Sequence, residues 1–290
     1  MFNYLKKYNL IDDECIIIHR GTRDNENINV MRCVKNNLIF LDKIIKNDYE
    51  NMSLQYWNND NITGARETTY IDDHRRSLLV DKIIQDNKIS NETLHILDFG
   101  CGNGGFLHLL NDEIIKYGID INKDVNELLK NEKIIVYNSI SQIPNNIFFN
   151  YITMFHVLEH IENPVDLLID IKTKLLKGSL FIIEVPHAND ILFNEYDNNA
   201  FKKSTFWSQH LVLYTKETLT SLLKLAGFKN ITIKYCQRYN IFNHLYWLSN
   251  NKSGGQNVFK FENSNALISE YDNFLIKNEK TDTIIAFIQT

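Results

Sequence analysis

The residues with the clearest chemical use are four closely spaced glycines. Segment 98–105 reads Asp-Phe-Gly-Cys-Gly-Asn-Gly-Gly, between an apolar run at 94–97 and a helical pattern from residue 106. Because glycine has no Cβ, the backbone of such a loop can approach a ligand closely. Asp120 ends the next apolar run, about 20 residues further on, where an acid accepts hydrogen bonds from ribose hydroxyls. The spacing predicts a site for a ligand that contains a nucleoside.

The glycine loop fits two ligand templates. Gly100 to Gly105 matches G-x-G-x-x-G, which is typical of dinucleotide sites, and Asp98 to Gly104 matches D-x-G-x-G-x-G, which is typical of S-adenosylmethionine sites. Asp98 favours the second template, since its carboxylate would repel a pyrophosphate but attract an ammonium and a sulfonium. Asp120 would hold the ribose under either interpretation.

The pattern around the loop predicts an α/β fold. Apolar runs alternate with helical periodicity from about residue 94, which indicates a Rossmann-like, seven-stranded, mostly parallel sheet with helices on both faces. Thr215 to Ala226 is predicted to form a helix, with Thr215 as its N-cap and Gly227 as its C-cap signal. The predicted strands are 94–99, 114–120, 134–137, 151–155, 180–185, 230–236 and 282–288.

Four segments are predicted along the chain. The alternation of strands and helices is absent before residue 60, although 15–19 and 38–41 could pair there as strands. Residues 237–281 are too long for a simple connection, and helical patterns flank their Gly254-Gly255 pair. The predicted segments are an N-terminal appendage (1–60), a core (61–236), an insert for substrate or dimer contacts (237–281) and a final core strand (282–290).

The composition of the chain limits the kinds of partner that it is expected to bind. With a net charge of −5 and no long Lys/Arg run, the chain is not expected to bind nucleic acid. No segment approaches the roughly 18 apolar residues of a membrane span, so no membrane insertion is expected. The four cysteines form no CxxC pair, which favours a reduced, cytoplasmic protein.

Four motifs in order resemble those of class I S-adenosylmethionine-dependent methyltransferases. Residues 97–104 are similar to the first motif of that family, and 117–120 to its second-strand motif. Residues 150–164, Asn-Tyr-Ile-Thr-Met-Phe-His-Val-Leu-Glu-His-Ile-Glu-Asn-Pro, resemble the fourth-strand motif of the subgroup that acts on small molecules. Residues 175–180 resemble the turn before the fifth strand. The resemblance spans roughly 65–236 and implies S-adenosylmethionine as the cofactor.

The resemblance also implies contacts to the cofactor. Phe155 and His156 would flank its methionine part, mostly through backbone, and Tyr70 and Arg75 would meet its carboxylate from an upstream helix. Two departures concern the adenine: Ser139 stands where the family often has an acid, and Asn150 where it usually has Asp. The implied cofactor-binding residues are Asp98, Gly100, Cys101, Gly102, Gly104, Asp120, Ile121, Ser139, Phe155, His156, Tyr70 and Arg75.

Transfer of a methyl group to a hydroxyl requires removal of the hydroxyl proton. His160 and His187 follow predicted strands, and His210 lies in the segment Trp207-Ser208-Gln209-His210-Leu211. These three histidines are the candidates for this base, whereas Glu159 and Glu184 are weaker ones. The expected acceptor is a small polar molecule, with a hydroxyl of a sugar, nucleotide sugar or surface-polysaccharide precursor favoured. The aromatic segment 237–248 could line its pocket or a homodimer interface, and resembles the tails of methyltransferases from bacterial capsule clusters.

Other interpretations remain open at this point. The acceptor atom could be nitrogen or carbon of a small metabolite. An NAD-dependent oxidoreductase or epimerase would need a Tyr-x-x-x-Lys couple after the fourth strand, and a binding protein could keep the fold without the chemistry. Residues 1–45 faintly resemble the zinc ribbon of some sugar methyltransferases, but Cys15, His19 and Cys33 cannot supply four ligands. No metal site is therefore expected.

Overall fold

A computed structural model of the 290-residue chain describes residues 1–45, 62–87, 93–130, 132–259 and 261–290. The predicted boundary between residues 60 and 61 lies outside these ranges. The chain divides into two compact units. The first comprises 1–46, 158–166 and 184–286, and the second comprises 47–157, 167–183 and 287–290.

Helices and strands alternate along most of the chain, with short 3₁₀ turns at Ile140–Gln142 and Leu158–His160. The strands are β1 (Cys15–Arg20), β2 (Asn29–Cys33), β3 (Ile39–Leu41), β4 (His95–Phe99), β5 (Ile115–Ile119), β6 (Ile134–Tyr137), β7 (Phe149–Phe155), β8 (Leu175–Pro186), β9 (Val212–Leu213), β10 (Asn230–Cys236) and β11 (Thr283–Gln289). The helices are α1 (Phe2–Lys7), α2 (Ile62–Asn87), α3 (Gly105–Leu109), α4 (Lys123–Lys130), α5 (Pro164–Lys172), α6 (Ile191–Asn194), α7 (Asn199–Thr205), α8 (Lys216–Leu225), α9 (Ile241–Asn250), α10 (Gly255–Val258) and α11 (Asn265–Lys277).

The larger sheet has seven strands in the order β10-β11-β8-β7-β4-β5-β6. The pairs β4–β5, β4–β7 and β5–β6 are parallel. The interior of these strands is apolar and buried, as the side chains of Ile96, Leu97 and Ile152 show, because both faces of a mostly parallel sheet are covered by helices. The predicted seven-stranded Rossmann-like fold is confirmed. The strand order reverses at β4, which is where such folds bind their ligands.

A smaller antiparallel sheet in the first unit has the order β1-β2-β3-β9. The strands predicted at 15–19 and 38–41 exist, but they are not paired with each other because β2 lies between them. β3 also pairs with β9, so that Ile39 faces Leu213. The early residues therefore form a sheet with a segment from far along the chain.

The predicted helix signals act as expected in the first unit. Thr215 caps α8 by accepting a hydrogen bond from the backbone N–H of Thr218, whose side chain bonds back to the cap. Gly227, just after this helix, has a φ of +84°.

Helices α9 and α11 lie on either side of Gly254-Gly255 in the sequence, and both contribute buried residues to a cluster that contains Trp247 and Leu275. No helix in the described part of the chain combines the length and apolar character needed to cross a lipid bilayer.

Candidate active site

The glycine loop leaves β4 in a conformation that other residues rarely adopt. Gly100 and Gly104 have φ values of +78° and +69°. A Cβ on Gly100 would lie 2.2 Å from Val157 Cγ2, and one on Gly104 would lie 2.5 Å from Leu129 Cδ2. The N–H groups of Gly100 and Cys101 donate to the carbonyl oxygen of Ile119, at 2.7 and 3.0 Å. The loop is thus tied to the end of β5, and only glycine fits at its closest approaches.

Asp120 joins this loop to the next turn. One carboxylate oxygen accepts a hydrogen bond from the N–H of Gly102 at 2.9 Å, and the other accepts one from the N–H of Asn122, also at 2.9 Å. Burial raises the pKa of Asp120, and these backbone donors oppose the rise. Each oxygen of an ionised carboxylate can accept a further hydrogen bond, as binding of a ribose would require.

Asp98 is a buried carboxyl with one strong neutral partner. The Thr153 hydroxyl on β7 donates to its Oδ1 at 2.7 Å. Burial raises the pKa of Asp98 to about 7, although the Thr153 hydroxyl and the charge of Arg76 act against the rise. Since burial penalises the charged form, a cation bound beside Asp98 would favour ionisation and be stabilised by it.

Asn103 connects the loop to α2 in a way that the motif did not reveal. Its side chain accepts from the N–H of Gly105 at 2.9 Å and donates to the Thr69 hydroxyl at 3.1 Å. Its carbonyl oxygen accepts from Arg66 Nε at 3.0 Å, and the same guanidinium pairs with Glu132 at 2.7 Å. The family motif leaves position 103 variable, so only the tertiary structure identifies this tether.

Helix α2 places two adjacent arginines differently. Arg75 pairs with Asp72 at 3.4 Å on the same helix. Arg76 is buried, pairs with Asp73 at 3.5 Å, and lies with its Cζ 4.9 Å from the centre of the Phe155 ring. The structure therefore brings Arg76 to the end of β7, although the sequence interpretation selected Arg75. Tyr70, the other predicted residue on α2, is half-exposed and stacks on His74.

The end of β7 has an aromatic side chain and an unusual backbone. The Phe155 ring meets Phe106 of α3 edge to face, with centroids 5.0 Å apart. The next residue, His156, has a φ of +54°. A non-glycine residue in this left-handed region is uncommon, and such strain concentrates at functional sites. The conformation is consistent with the predicted contact through backbone.

The residues predicted to lie near the adenine make less specific contacts than those around the glycine loop. Ile121 is exposed, and the Ser139 hydroxyl lies 2.9 Å from that of Ser141. The sequence did not indicate a nearby amide pair: Asn126 Nδ2 donates to Asn138 Oδ1 at 2.8 Å and to the carbonyl oxygen of Asp120 at 2.7 Å. Asn126, on α4, thus connects the residues that directly follow β5 and β6.

Asn150, the other departure from the family pattern, lies at the end of β7 opposite to Phe155. Asn150 lies near the start of β7, and its side-chain oxygen accepts a hydrogen bond from the N–H of His95 at 2.9 Å. His95 is the first residue of β4. Since ligands bind at the carboxyl ends of strands in this fold, the departure falls at a position that aligns two strands.

In the first unit, two predicted histidines lie together with a glutamate. The rings of His160 and His210 have centroids 5.0 Å apart, and Trp207 lies edge-on to both. Glu159 is fully buried, with one carboxylate oxygen 3.9 Å from His160 Nε2. The N–H of Leu211 donates to the carbonyl oxygen of Glu159 at 2.8 Å, which aligns the two segments.

His187 lies in a different environment of the same unit. It is buried, and its Nδ1 lies 2.9 Å from the carbonyl oxygen of Thr281. Burial lowers the pKa of His187 to about 4, despite the opposing effect of that carbonyl. The structure groups two of the three histidines that the sequence selected and leaves the third apart from their cluster.

The polar groups around the glycine loop of the second unit suit S-adenosylmethionine. The buried carboxyl of Asp98 suits a ligand that carries an ammonium and a sulfonium, and Asp120 has the geometry for ribose hydroxyls. All twelve residues predicted to contact the cofactor belong to this unit, whereas His160, His187 and His210 belong to the other. The arrangement can hold a cationic nucleoside.

Comparisons with known proteins identify relatives in sequence and in fold. An uncharacterised protein of Methanocaldococcus jannaschii is 28% identical over 169 residues, which are 56% of this chain and 80% of the relative. The mitochondrial ubiquinone biosynthesis O-methyltransferase of Candida albicans is 30% identical over 111 residues, but these are 32% of this chain and only 33% of that enzyme. The structure of the plantazolicin methyltransferase BpumL in complex with SAH shares the fold, with a TM-score of 0.50, 16% identity and coverage of 82% of this chain and 93% of BpumL.

A family profile described as a methyltransferase domain matches residues 71–233, which is more than half of the chain. The matched range includes β4 to β7, the glycine loop and Asp120. The chain belongs to the methyltransferase domain family and is a class I methyltransferase that uses S-adenosylmethionine.

Proposed function

We propose that the enzyme methylates a hydroxyl group of a small polar acceptor, such as a sugar, a nucleotide sugar or a precursor of a surface polysaccharide. S-adenosylmethionine supplies the electrophilic methyl group when it is bound. The chain's own residues must then align the acceptor, exclude water and receive the hydroxyl proton. The observation that carries the proposal is the pair of part-exposed imidazoles of His160 and His210 beside a fully buried carboxylate.

The two imidazoles are chemically suited to a hydroxyl acceptor. A neutral alcohol is a poor nucleophile, so its oxygen attacks carbon efficiently only when its proton is removed. Glu159 lies next to His160 and would stabilise an imidazolium formed there. The acceptor proton would pass to an imidazole nitrogen, the oxygen would bond to the methyl carbon, and the bond from that carbon to sulfur would break. Methylation of a neutral amine requires less activation.

His187 is the weakest of the three predicted bases. Its lowered pKa of about 4 means that its conjugate acid forms poorly at neutral pH. Its burial also limits access of an acceptor. We therefore assign the proton-accepting role to the cluster that contains His160 and His210.

Two further observations support a small polar acceptor. Trp207 lies edge-on to both imidazoles, and the Arg23 guanidinium lies over its ring at 4.1 Å from the centroid. Aromatic faces with a few polar groups suit sugars and related molecules. The Candida albicans relative, which bears the name of an O-methyltransferase, supports oxygen as the acceptor atom.

The test is methyl transfer to a panel of acceptors, followed by mass spectrometry. The panel contains nucleotide sugars, free sugars, a phenol and a small amine. We expect a mass gain of one methyl group on a hydroxyl-bearing member. We also expect His160→Ala and His210→Ala to lower kcat by roughly a hundredfold or more, which is the usual contribution of general-base catalysis.

His108→Ala is the matched control, because His108 is also close to a glutamate, Glu132 at 3.4 Å, but lies in the other unit. It should retain the activity of the unmodified enzyme. Exclusive methylation of the amine, or full activity of both cluster variants with intact cofactor binding, would contradict the proposed chemistry.

A further inference from the structure

We propose that Glu159, His160 and His210 form a binding site for one divalent transition-metal or zinc ion. Each of the three residues offers one ligand atom, and these atoms all lie within 4.8 Å of one another. In tetrahedral zinc coordination, ligand atoms about 2.0–2.2 Å from the ion lie roughly 3.4 Å apart. Side-chain rotations that shorten each separation by at most about 1.4 Å would therefore bring all three atoms onto a common ion.

The backbone holds the three ligands on two short segments. Glu159 and His160 are adjacent in the 3₁₀ turn Leu158–His160. His210 follows a turn in which its N–H donates to the carbonyl oxygen of Trp207 at 3.0 Å. The hydrogen bond from Leu211 to Glu159 connects these segments directly. Ligands fixed in this way lose little conformational entropy when an ion binds.

The residues that surround His210 are also anchored. The N–H of Arg23 donates to Phe206 at 2.8 Å, the N–H of Ser208 donates to Asp24 at 3.0 Å, and the N–H of Leu41 donates to Leu211 at 3.1 Å. The segment that carries His210 is thus held on both sides by the N-terminal strands and their loop. An ion-binding site requires such rigidity from the residues that support its ligands.

The charge of the cluster favours a cation. Glu159 is fully buried, and its negative charge contributes to raising the pKa of the fully buried Tyr214 after the effect of burial itself. A divalent ion coordinated by Glu159 and the two imidazoles would place an opposite charge directly against this carboxylate and favour its ionised form.

The ligand types indicate which ions fit. Two imidazoles and one carboxylate suit zinc, iron, cobalt and nickel better than magnesium or calcium, which prefer all-oxygen sites. Three protein ligands leave at least one coordination position for water or another oxygen donor. The site therefore differs in kind from the cysteine module whose resemblance led the sequence interpretation to expect no metal.

A bound ion would change how the cluster assists catalysis. An ion lowers the pKa of a coordinated hydroxyl, so with an ion bound the acceptor proton would pass to water, whereas in the metal-free protein it passes to an imidazole. This consequence rests on the proposed function, but the binding of the ion does not. Metal binding and methyl transfer can therefore be tested separately.

The experiment measures binding without cofactor or acceptor. The full-length protein is freed of metal with a chelator and titrated with Zn²⁺ by calorimetry, and with Co²⁺ by visible absorption. We expect one ion at this site, and a loss of affinity of roughly a hundredfold or more in His210→Ala and His160→Ala. Glu159→Gln keeps the shape of the buried side chain and should also weaken binding, while thermal denaturation of the metal-free proteins checks that each variant folds.

A second group of possible ligands must be separated from the first. Asp12, Cys15 and Cys33 also offer ligand atoms within 4.8 Å of one another. The titrations are therefore repeated in a Cys15→Ser/Cys33→Ser background, where Co²⁺ should still bind at the histidine site and show no thiolate charge-transfer absorption. His108→Ala is the control for a His–Glu pair outside the cluster and should leave affinity unchanged.

Two results would overturn the proposal. One is a folded protein whose binding of Zn²⁺ and Co²⁺ disappears entirely in the Cys15→Ser/Cys33→Ser background. The other is binding in that background that none of the three cluster substitutions weakens. If the ion binds as expected but no hydroxyl acceptor is methylated, the proposed function fails while the metal site stands.

Discussion

The glycine loop and the histidine cluster are two sites built by different means. The loop is shaped by backbone: positive φ values, N–H groups that bond to Ile119, and glycines that allow close approach. The cluster is shaped by side chains on segments about 50 residues apart, with Glu159 and His160 on one and His210 on the other. A backbone site tolerates almost no added atom. A side-chain site loses individual functions one at a time, and usually keeps its fold.

The largest effect that would test this contrast is expected for Gly100→Ala. Its Cβ would lie 2.2 Å from Val157 Cγ2 on a backbone with φ of +78°. Overpacking and left-handed strain together should lower the free energy of unfolding by about 2–5 kcal/mol. We expect affinity for S-adenosylmethionine to fall by roughly a hundredfold, the equivalent of two lost hydrogen bonds. Urea unfolding and calorimetry measure these effects.

Gly178→Ala is the matched control, since Gly178 has a φ of +83° and no atom lies within 4 Å of the position that its Cβ would take. It should show only the strain of the left-handed backbone, about 1–2 kcal/mol, with unchanged cofactor affinity. Equal losses of stability and equal affinities in the two variants would show that close packing does not define the loop.

An intermediate effect is expected for Asp98, the one side chain on which the backbone site most depends. Because its pKa is raised to about 7, the folded state binds a proton that the unfolded state releases between about pH 4 and pH 7. Stability should therefore fall as pH rises through this window, by about 4 kcal/mol at most. Asp98→Asn should remove this fall, as seen in urea unfolding at pH 5 and pH 7.5.

The same carboxyl should make cofactor binding depend on pH. A cationic ligand binds the ionised form, so affinity for S-adenosylmethionine should be roughly tenfold weaker at pH 6 than at pH 7.5. Asp98→Asn should bind weakly at both values. A pH-independent affinity in the unmodified protein would contradict the role that we assign to Asp98.

The smallest effect separates two neighbours on α2. Arg76→Ala removes the guanidinium over Phe155 and leaves Asp73 buried without this partner, so cofactor affinity should fall by about tenfold. Arg75→Ala removes a partly exposed pair with Asp72 and should change affinity by less than about threefold. Calorimetric titration of both variants with S-adenosylmethionine measures these losses. A larger loss for Arg75→Ala than for Arg76→Ala would favour the contact inferred from the sequence.

Sequence patterns singled out the glycine loop because its determinants are local. The glycines, Asp98 and Asp120 have fixed spacings along the chain, and each spacing follows from one strand, one turn and one helix. Asn103 and Thr153 escaped prediction, since their roles depend on Thr69 and Asp98, which lie on other elements. Arg76 was missed because adjacent positions of a helix face different directions, and the sequence did not show which direction faces β7.

The same distinction between local and non-local determinants explains why the sequence predicted less of the first unit. The strands at 15–19 and 38–41 were recognised from their apolar runs, but β2 between them contains Asn29 and Arg32 and gave no such signal. The two-residue strand β9 is too short for any periodic pattern. His160 and His210 were both selected as candidate bases from the sequence, but their proximity depends on the hydrogen bond between Leu211 and Glu159.

The pairing of β3 with β9 also has a consequence for synthesis of the chain. Phe40 faces Val212, so the first three strands leave the ribosome long before their partner exists. Until then β3 presents an open edge, which invites pairing with other chains. Its length of only three residues limits this hazard. The brevity that hides β9 from sequence patterns is shared by β3, where it leaves the nascent protein little edge on which to aggregate.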